Sequence, residues 1–172
     1  ASASWLKCRR AFYLRIHVAM NLYDEFKEVI SALETGGIEY ALCGGLAMAV
    51  HGSPRSTLDV DLLIKPEALE SVKSCAKALG YCIDTGFLKT VGDRVRIYRM
   101  VKPIVGDEEP VILDLVIVSD ELKDVWNNRR QVPWGSNGLS IVSKDGLVKM
   151  KELRGSGRDQ DDIAFLRDSN ED

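Results

Sequence analysis

Residues 111–118 (VILDLVIV) constrain the fold more than any other segment, because seven of these eight residues are apolar. Side chains alternate between the two faces of a strand, so a strand that is apolar on both faces has to be covered on both. The pattern therefore predicts a central strand in a sheet that helices flank.

The other apolar segments complete a mixture of strands and helices without regular alternation. We expect strands at residues 38–43, 58–65, 81–88, 94–101, 111–118 and 139–142. We expect helices at residues 9–34, 46–50, 66–79, 120–128, 144–153 and 160–167. This order predicts an α+β fold with a central mixed β-sheet flanked by helices, including an N-terminal helix and C-terminal helices.

Size and composition indicate an ordinary globular domain. The chain has 172 residues, and its formal net charge of -3 does not suit a dedicated nucleic-acid binder. We expect a single domain over residues 1–172, with a core at about 36–142 and a C-terminal helical segment at 143–168. No apolar stretch approaches the ~18 residues of a membrane span, and the four cysteines form no CxxC pair. We therefore expect a cytoplasmic protein with free thiols and no membrane contact.

Two aspartates one residue apart, Asp59 and Asp61, lie in the strand expected at residues 58–65. Positions i and i+2 of a strand share a face, so both carboxylates project together while the intervening apolar residues face a core. Adjacent like charges are destabilising unless something neutralises them. A solvated strand face is one explanation, and a bound divalent cation, which prefers carboxylate oxygens, is the other.

Asp114 is the charged residue within the central strand, and a buried charge needs a partner. The partner is either an arginine or a metal ion that other carboxylates share. If the strand of Asp114 lies next to the strand of Asp59 and Asp61, three carboxylates converge. Such a group suits one or two Mg²⁺ ions that hold a triphosphate, with Mn²⁺ as an alternative ion.

Gly44 and Gly45 stand where a strand is expected to give way to a short helix. Glycine lets the backbone approach a ligand closely, and the free N–H groups at a helix start suit an anion. A plain turn is the alternative explanation for the glycine pair. The order of a strand, Gly-Gly, a DxD strand and a later strand with one aspartate favours a nucleoside triphosphate site.

Residues 40–52 (YALCGGLAMAVHG) and 55–61 (RSTLDVD) together resemble the signature of the nucleotidyltransferase superfamily that includes DNA polymerase beta. That signature has Gly-Gly or Gly-Ser at a helix start, DxD on the next strand, and a third acid. The resemblance implies a nucleotidyltransferase fold and the following roles: triphosphate binding for Gly44 and Gly45, metal binding for Asp59 and Asp61, and the third carboxylate for Asp114. Because the third acid commonly helps to activate the attacking group, Asp114 is also the candidate base.

The C-terminal residues 149–163 resemble the lysine and "R-x-R-D-x-x-D-I" tail of small bacterial members of the superfamily. These members include AbiEii-type toxin nucleotidyltransferases and enzymes that modify lincosamides or aminoglycosides. The resemblance implies that Lys149 and Arg158 lie near the phosphates of the nucleotide. Arg55, just before the DxD strand, is a third candidate for contact with phosphate, although a surface loop position would also explain it.

Several further residues have both a functional and a structural explanation. Arg94 and Arg96 share a strand face and suit either an acceptor pocket or an exposed surface. Trp126 with the two arginines at 129–130 suits stacking on a base, but simple packing is the simpler explanation. His51 lies close to the glycine pair and suits either nucleotide contact or a structural loop position.

The expected function is Mg²⁺-dependent transfer of a nucleoside monophosphate from an NTP to an acceptor, with release of pyrophosphate. The acceptor remains open between a small molecule such as an antibiotic, a tRNA and a protein. One alternative is a toxin of a toxin–antitoxin pair, with an antitoxin as its partner. Another is a catalytically silent module that binds nucleotide without turnover.

Overall fold

The computed structural model describes residues 22–53, 57–89, 94–104, 109–135, 138–155 and 159–168. Within these ranges the strands are Ala41–Cys43 (β1), Asp59–Ile64 (β2), Ile83–Phe87 (β3), Arg96–Lys102 (β4), Val111–Ile117 (β5), Arg130–Val132 (β6) and Leu139–Ile141 (β7). The α-helices are Leu22–Thr35 (α1), Gly44–Val50 (α2), Leu69–Ala78 (α3), Lys123–Asn127 (α4), Lys144–Arg154 (α5) and Asp159–Asp168 (α6).

The strands form one mixed sheet in the order β3-β4-β5-β2-β1-β7-β6. The pairs β2–β5 and β1–β7 are parallel, and the other neighbouring strands are antiparallel. The predicted α+β fold with a central mixed sheet is therefore confirmed. The sheet also places β5 directly beside β2, which is the neighbour relation that convergence of the three aspartates required.

Alternation along β2 separates an apolar face from an acidic one. Val60, Leu62 and Ile64 have 0% of their surface exposed, while Asp59 and Asp61 on the other face are half-buried. The central position of β5 is also confirmed, because six of its seven residues are buried. The hydrophobic effect thus fixes which face of β2 carries the carboxylates.

Helix α1 packs on the face of the sheet opposite the aspartates. Its apolar residues Phe26, Ile30 and Leu33 are buried at helical spacing, within the helix predicted at residues 9–34. Its Glu25 reaches Lys102 at the end of β4, with the ammonium 2.8 Å from each carboxylate oxygen. Lys102 and Arg99 are three residues apart on β4, so they project from opposite faces. The expected N-terminal part of this helix, residues 9–21, lies outside the described residues.

Helices α5 and α6 form the C-terminal helical layer and contact each other. The Ser143 hydroxyl accepts a hydrogen bond from the Gly146 N–H at 3.2 Å and so caps the start of α5. The Lys151 ammonium donates to Asp159 at 3.2 Å and to Asp162 at 2.6 Å. This largely buried cluster ties α5 to α6.

Three local expectations need correction. Strand β6 was not predicted, because its three residues are mostly exposed and carry no apolar alternation; pairing with β7 defines it. The helix expected from residue 66 begins as a 3₁₀ turn at Pro66–Ala68 before α3. Cys43 and Cys75 are free thiols as expected, but Cys82 is disulfide-bonded, so the expectation of free thiols is wrong there.

Among the described residues, no helix is both long enough and apolar enough to cross a membrane.

Candidate active site

The three predicted aspartates lie on one face of the two central strands. Asp61 of β2 stands directly opposite Asp114 of β5 in the parallel register, and Asp59 precedes Asp61 by two residues on the same face. The apolar faces of β2 and β5 hold both strands in this register. The structure therefore places the three predicted acids on one face of two adjacent strands.

The crowding of these carboxylates changes their acidity. Burial, followed by the negative charges of Asp114 and Asp59, raises the pKa of Asp61 to about 7. Burial and the charge of Asp114 also raise the pKa of Asp59 above its usual range. Burial is the larger cause in both cases and the charge of Asp114 adds to it, so a cation bound beside these carboxylates would favour their ionised forms.

Gly44 and Gly45 join β1 to α2 next to the aspartates. Gly44 has φ of 63°, and a Cβ atom at this position would lie 2.0 Å from Oδ2 of Asp61. A Cβ at Gly45 would lie 2.8 Å from the Thr57 side chain. The Gly45 N–H donates a hydrogen bond to Asp61. Both positions therefore need glycine for steric reasons, and the turn holds backbone against the DxD carboxylates.

Arg99 of β4 completes the row of charged residues, and the sequence analysis missed it. Its Nε donates to Oδ1 of Asp114 and its Nη2 to Oδ2, each at 2.7 Å. The Asp114 side chain is 5% exposed and that of Arg99 is 29% exposed. Of the two explanations left open for a buried aspartate, pairing with an arginine is the one that this structure contains.

Only the antiparallel register of β4 and β5, which pairs Arg99 with Asp114, reveals this contact. Arg96 lies three residues from Arg99 on β4 and so projects from the opposite face, whereas Arg94 precedes the strand. Arg96 stacks on Phe87 at 4.3 Å, and Arg94 is exposed. Two features of the sequence could have indicated Arg99. It lies an odd number of residues from the other two arginines, and Asp114 needs a partner.

A second missed cation is Arg154, the last residue of α5. Burial and neighbouring carboxylates raise the pKa of Asp59 and Asp61, and the positive charge of Arg154 opposes both shifts. Arg154 was not among the basic residues expected near the phosphates, which are Lys149 and Arg158.

The predicted basic residues lie elsewhere or outside the described ranges. Lys149 donates to Asp124 of α4 at 2.6 Å, so its ammonium is engaged there and not with the aspartate row. Arg55 and Arg158 lie outside the described residues, and their expected contacts with phosphate remain predictions. The exposed Arg130 belongs to the edge strand β6.

Trp126 and His51 have structural contacts. Trp126 is 5% exposed and Arg129 lies 4.0 Å above its ring, so packing is confirmed and the ring offers no free stacking surface. Arg129 also donates to Glu39 at 2.7 Å. Nε2 of His51 lies 2.8 Å from the carbonyl oxygen of Val142, which links the end of α2 to the end of β7.

The residue types of the site suit a divalent cation, but their side chains are not arranged as a complete metal site. Asp59 and Asp61 offer hard oxygen donors with uncompensated charge, as Mg²⁺ requires. In the described part of the chain, no three His, Cys, Asp or Glu side chains are grouped so that they could hold a metal ion. Both oxygens of Asp114 accept hydrogen bonds from Arg99, so this carboxylate already has a cationic partner, and the cage of three carboxylates stays a prediction.

Sequence comparisons do not assign the chain, whereas structural comparisons do identify its fold. No protein-family model and no curated protein matches the sequence. The solved structure of ANT(2")-Ia in complex with adenylyl-2"-tobramycin has a TM-score of 0.54 at 13% identity, covering 83% of this chain and 85% of that one. The solution structure of the same antibiotic-resistance factor has a TM-score of 0.52 at 13% identity, covering 83% of this chain and 79% of that one.

A third structure, TM1012 from Thermotoga maritima, is assigned as a nucleotidyltransferase. Its TM-score is 0.53 at 13% identity, and the match covers 91% of this chain and 97% of that one. All three matches span most of both chains, so the likeness concerns the whole architecture rather than one motif. The chain therefore has the fold of nucleotidyltransferases, and the fold expected from the sequence is confirmed.

Proposed function

We propose that this protein is a Mg²⁺-dependent nucleotidyltransferase that moves a nucleoside monophosphate from an NTP to an acceptor and releases pyrophosphate. One observation carries the proposal: Asp61 lies between the Gly44 turn on one side and Asp114 on the other, on a single face of the sheet. A turn without side chains next to converging carboxylates suits a triphosphate and its cation. The nucleotidyltransferase fold supports the same chemistry.

The proposed step is an in-line displacement at the α-phosphorus of the NTP. A bond forms between the acceptor oxygen and this phosphorus, while the bond from the phosphorus to the oxygen bridging to the β-phosphate breaks. Pyrophosphate leaves with the electron pair of the broken bond. The proton of the acceptor passes to Asp114, which is the candidate base.

Each residue of the site has a distinct role in this proposal. Asp59 and Asp61 would hold one or two Mg²⁺ ions, with Asp114 as the third carboxylate, and the Gly44–Gly45 backbone would lie against the triphosphate. Bound Mg²⁺ supplies positive charge that offsets the negative charge of the phosphates during displacement. The chain itself contributes position: the two central strands fix the acids, and the glycine turn leaves room beside them.

A small molecule is the acceptor that we propose first. The similar ANT(2")-Ia structure contains an adenylylated antibiotic, and it matches this chain over most of its length. A tRNA or protein acceptor, including a toxin role with an antitoxin partner, is a different outcome of the same labelling experiment. An NTP donor is a cytoplasmic metabolite, which agrees with the expected location.

The test is transfer of label from α-³²P NTPs in the presence of Mg²⁺ and a cell lysate that is afterwards separated into small molecules, RNA and protein. The wild-type chain is expected to label one fraction, and Asp59→Asn or Asp61→Asn to abolish labelling while circular dichroism remains unchanged. Asp120→Asn, which changes an exposed carboxylate paired with Lys123, is the matched control and should retain activity.

Full activity in Asp59→Asn or Asp61→Asn would refute the assignment of the site. If no fraction is labelled but NTPs with Mg²⁺ still raise the melting temperature, the chain is a silent nucleotide-binding module and the proposed transfer is wrong. Label in RNA or protein instead of small molecules would keep the reaction and refute the proposed acceptor class.

A further inference from the structure

We propose that Arg99 is an internal counter-ion that competes with the divalent cation for Asp114, so that metal binding requires Arg99 to release this carboxylate. The inference rests on the proposed function in one respect, namely that Asp59, Asp61 and Asp114 bind the metal. It adds a residue that the sequence motif does not contain.

The first step of the argument is the geometry of the pair. Arg99 presents a two-pronged contact in which each Asp114 oxygen accepts one hydrogen bond at 2.7 Å. An arginine that merely oriented a metal ligand would need only one oxygen and would leave the other for the ion. Here both oxygens face the guanidinium on the β4 side, so the Asp114 carboxylate has to turn away from Arg99 before it can bind an ion beside Asp59 and Asp61.

The second step is the order of groups across the sheet face. From β1 to β4 this order is Gly44, Asp61, Asp114 and Arg99. Arg99 therefore approaches Asp114 from the side away from the DxD strand, and the ion would approach from the DxD side. The Asp114 carboxylate lies between two competing cation positions.

The third step is that Arg99 has room to move. Its side chain is 29% exposed, in contrast to the 5% of Asp114. Its cross-strand neighbour on β3 is Gly86, which has no side chain that could cover it. The guanidinium is therefore partly open to solvent, unlike that of a buried arginine.

The two roles predict changes of opposite sign when Arg99 is removed. If Arg99 competes with the ion, its loss leaves Asp114 without a counter-ion in the metal-free protein, and the affinity for the ion rises. If Arg99 only orients Asp114 as a ligand, its loss lets the carboxylate turn away, and the affinity falls. Measuring ion affinity thus separates competition from orientation without any assay of activity.

The experiment uses Mn²⁺ as the probe and measures free ion by electron paramagnetic resonance, with wild type, Arg99→Gln and Arg96→Gln. Competition predicts that Arg99→Gln binds Mn²⁺ ~10- to 100-fold more tightly, the factor expected from loss of hydrogen bonds to a charged group. Arg96→Gln removes the same charge from the same strand but on the opposite face, over Phe87, and should change the affinity far less.

Arg99→Lys guards against a folding defect, because it keeps the charge but lacks the fork that reaches both oxygens. Its affinity for Mn²⁺ should lie between those of wild type and Arg99→Gln. An unchanged or lower affinity in Arg99→Gln, with a wild type that binds Mn²⁺ through Asp61, would overturn the competition while leaving the proposed function intact. If neither wild type nor any Arg99 variant binds Mn²⁺, both the metal site and this inference are wrong.

Discussion

The ion pair between Glu25 and Lys102 gives the sharpest test of how the sheet is held in place. The Lys102 side chain is 5% exposed and that of Glu25 is 0% exposed, and the ammonium lies 2.8 Å from both carboxylate oxygens. The pair connects α1 to β4, the strand that also carries Arg99. Replacing Lys102 by methionine keeps most of the side-chain volume but leaves the Glu25 carboxylate buried without its cation.

The expected cost follows from the burial of both groups. At an effective dielectric constant of about 20, two unit charges at this distance attract each other by roughly 6 kcal/mol. Desolvation of the two charges offsets part of this attraction, whereas removal of one partner alone leaves the other charge desolvated. Such single removals cost ~3–5 kcal/mol, which lowers the melting temperature of a chain of this length by roughly 6–20 °C.

The double variant Glu25→Leu/Lys102→Met removes both charges and replaces them with apolar side chains. We expect it to be more stable than Lys102→Met alone, because no uncompensated charge remains. Urea unfolding followed by circular dichroism gives the free energies, and Lys123→Met, which breaks an exposed pair with Asp120, is the control. The reasoning would be refuted if Lys102→Met cost no more than Lys123→Met, or if the double variant were less stable than the single one.

Two other predictions concern the glycine turn and the loss of stability at acid pH. Gly44→Ala and Gly52→Ala both place alanine at positive φ, at a cost of about 1–2 kcal/mol, but only the former adds a Cβ against Asp61. Gly44→Ala should therefore also lose Mn²⁺ binding and transfer; equal behaviour of the two variants in the Mn²⁺ titration would contradict this. Burial alone would raise the pKa of Asp84, but the Tyr98 hydroxyl and the nearby Lys73 hold it below its usual range. The stability that Asp84 contributes is thus present above its ordinary pKa and is lost as the pH falls through the lowered pKa. When the pH is lowered, Asp84→Asn should therefore lose less stability than wild type. The same loss of stability at acid pH in both proteins would count against the contact.

Much of the fold was predictable because it depends on local periodicity. The apolar alternation of β2 fixed the face of Asp59 and Asp61, and the continuous apolar run of β5 identified a central strand. Both patterns act through burial, which the sequence records residue by residue. Strand β6 lacks such a pattern, since only its pairing with β7 makes it a strand, and for that reason it could not be predicted.

The acids of the site were predictable for the same reason, whereas the arginines that act on them were not. The DxD motif and the lone aspartate of β5 are visible in short segments, but the partners of these carboxylates depend on which strands and helices become neighbours. Arg99 reaches Asp114 only through the register of β4 and β5, and a slip of one residue would turn it to the other face. Arg154 acts on Asp59 and Asp61 from the end of α5, more than ninety residues further along the chain.

These two arginines act on the site in different ways, and the difference matters for its chemistry. Arg99 binds Asp114 directly, and under the proposed competition it would determine whether that carboxylate is available as a ligand or base. Arg154 opposes the rise in the pKa of Asp59 and Asp61 through its charge, so it makes their ionised forms more accessible. Arg99 therefore neutralises Asp114, while Arg154 favours ionisation of Asp59 and Asp61. A cation that enters at Asp59 and Asp61 would meet a site already partly charged, and its hold on Asp114 would depend on the release of Arg99.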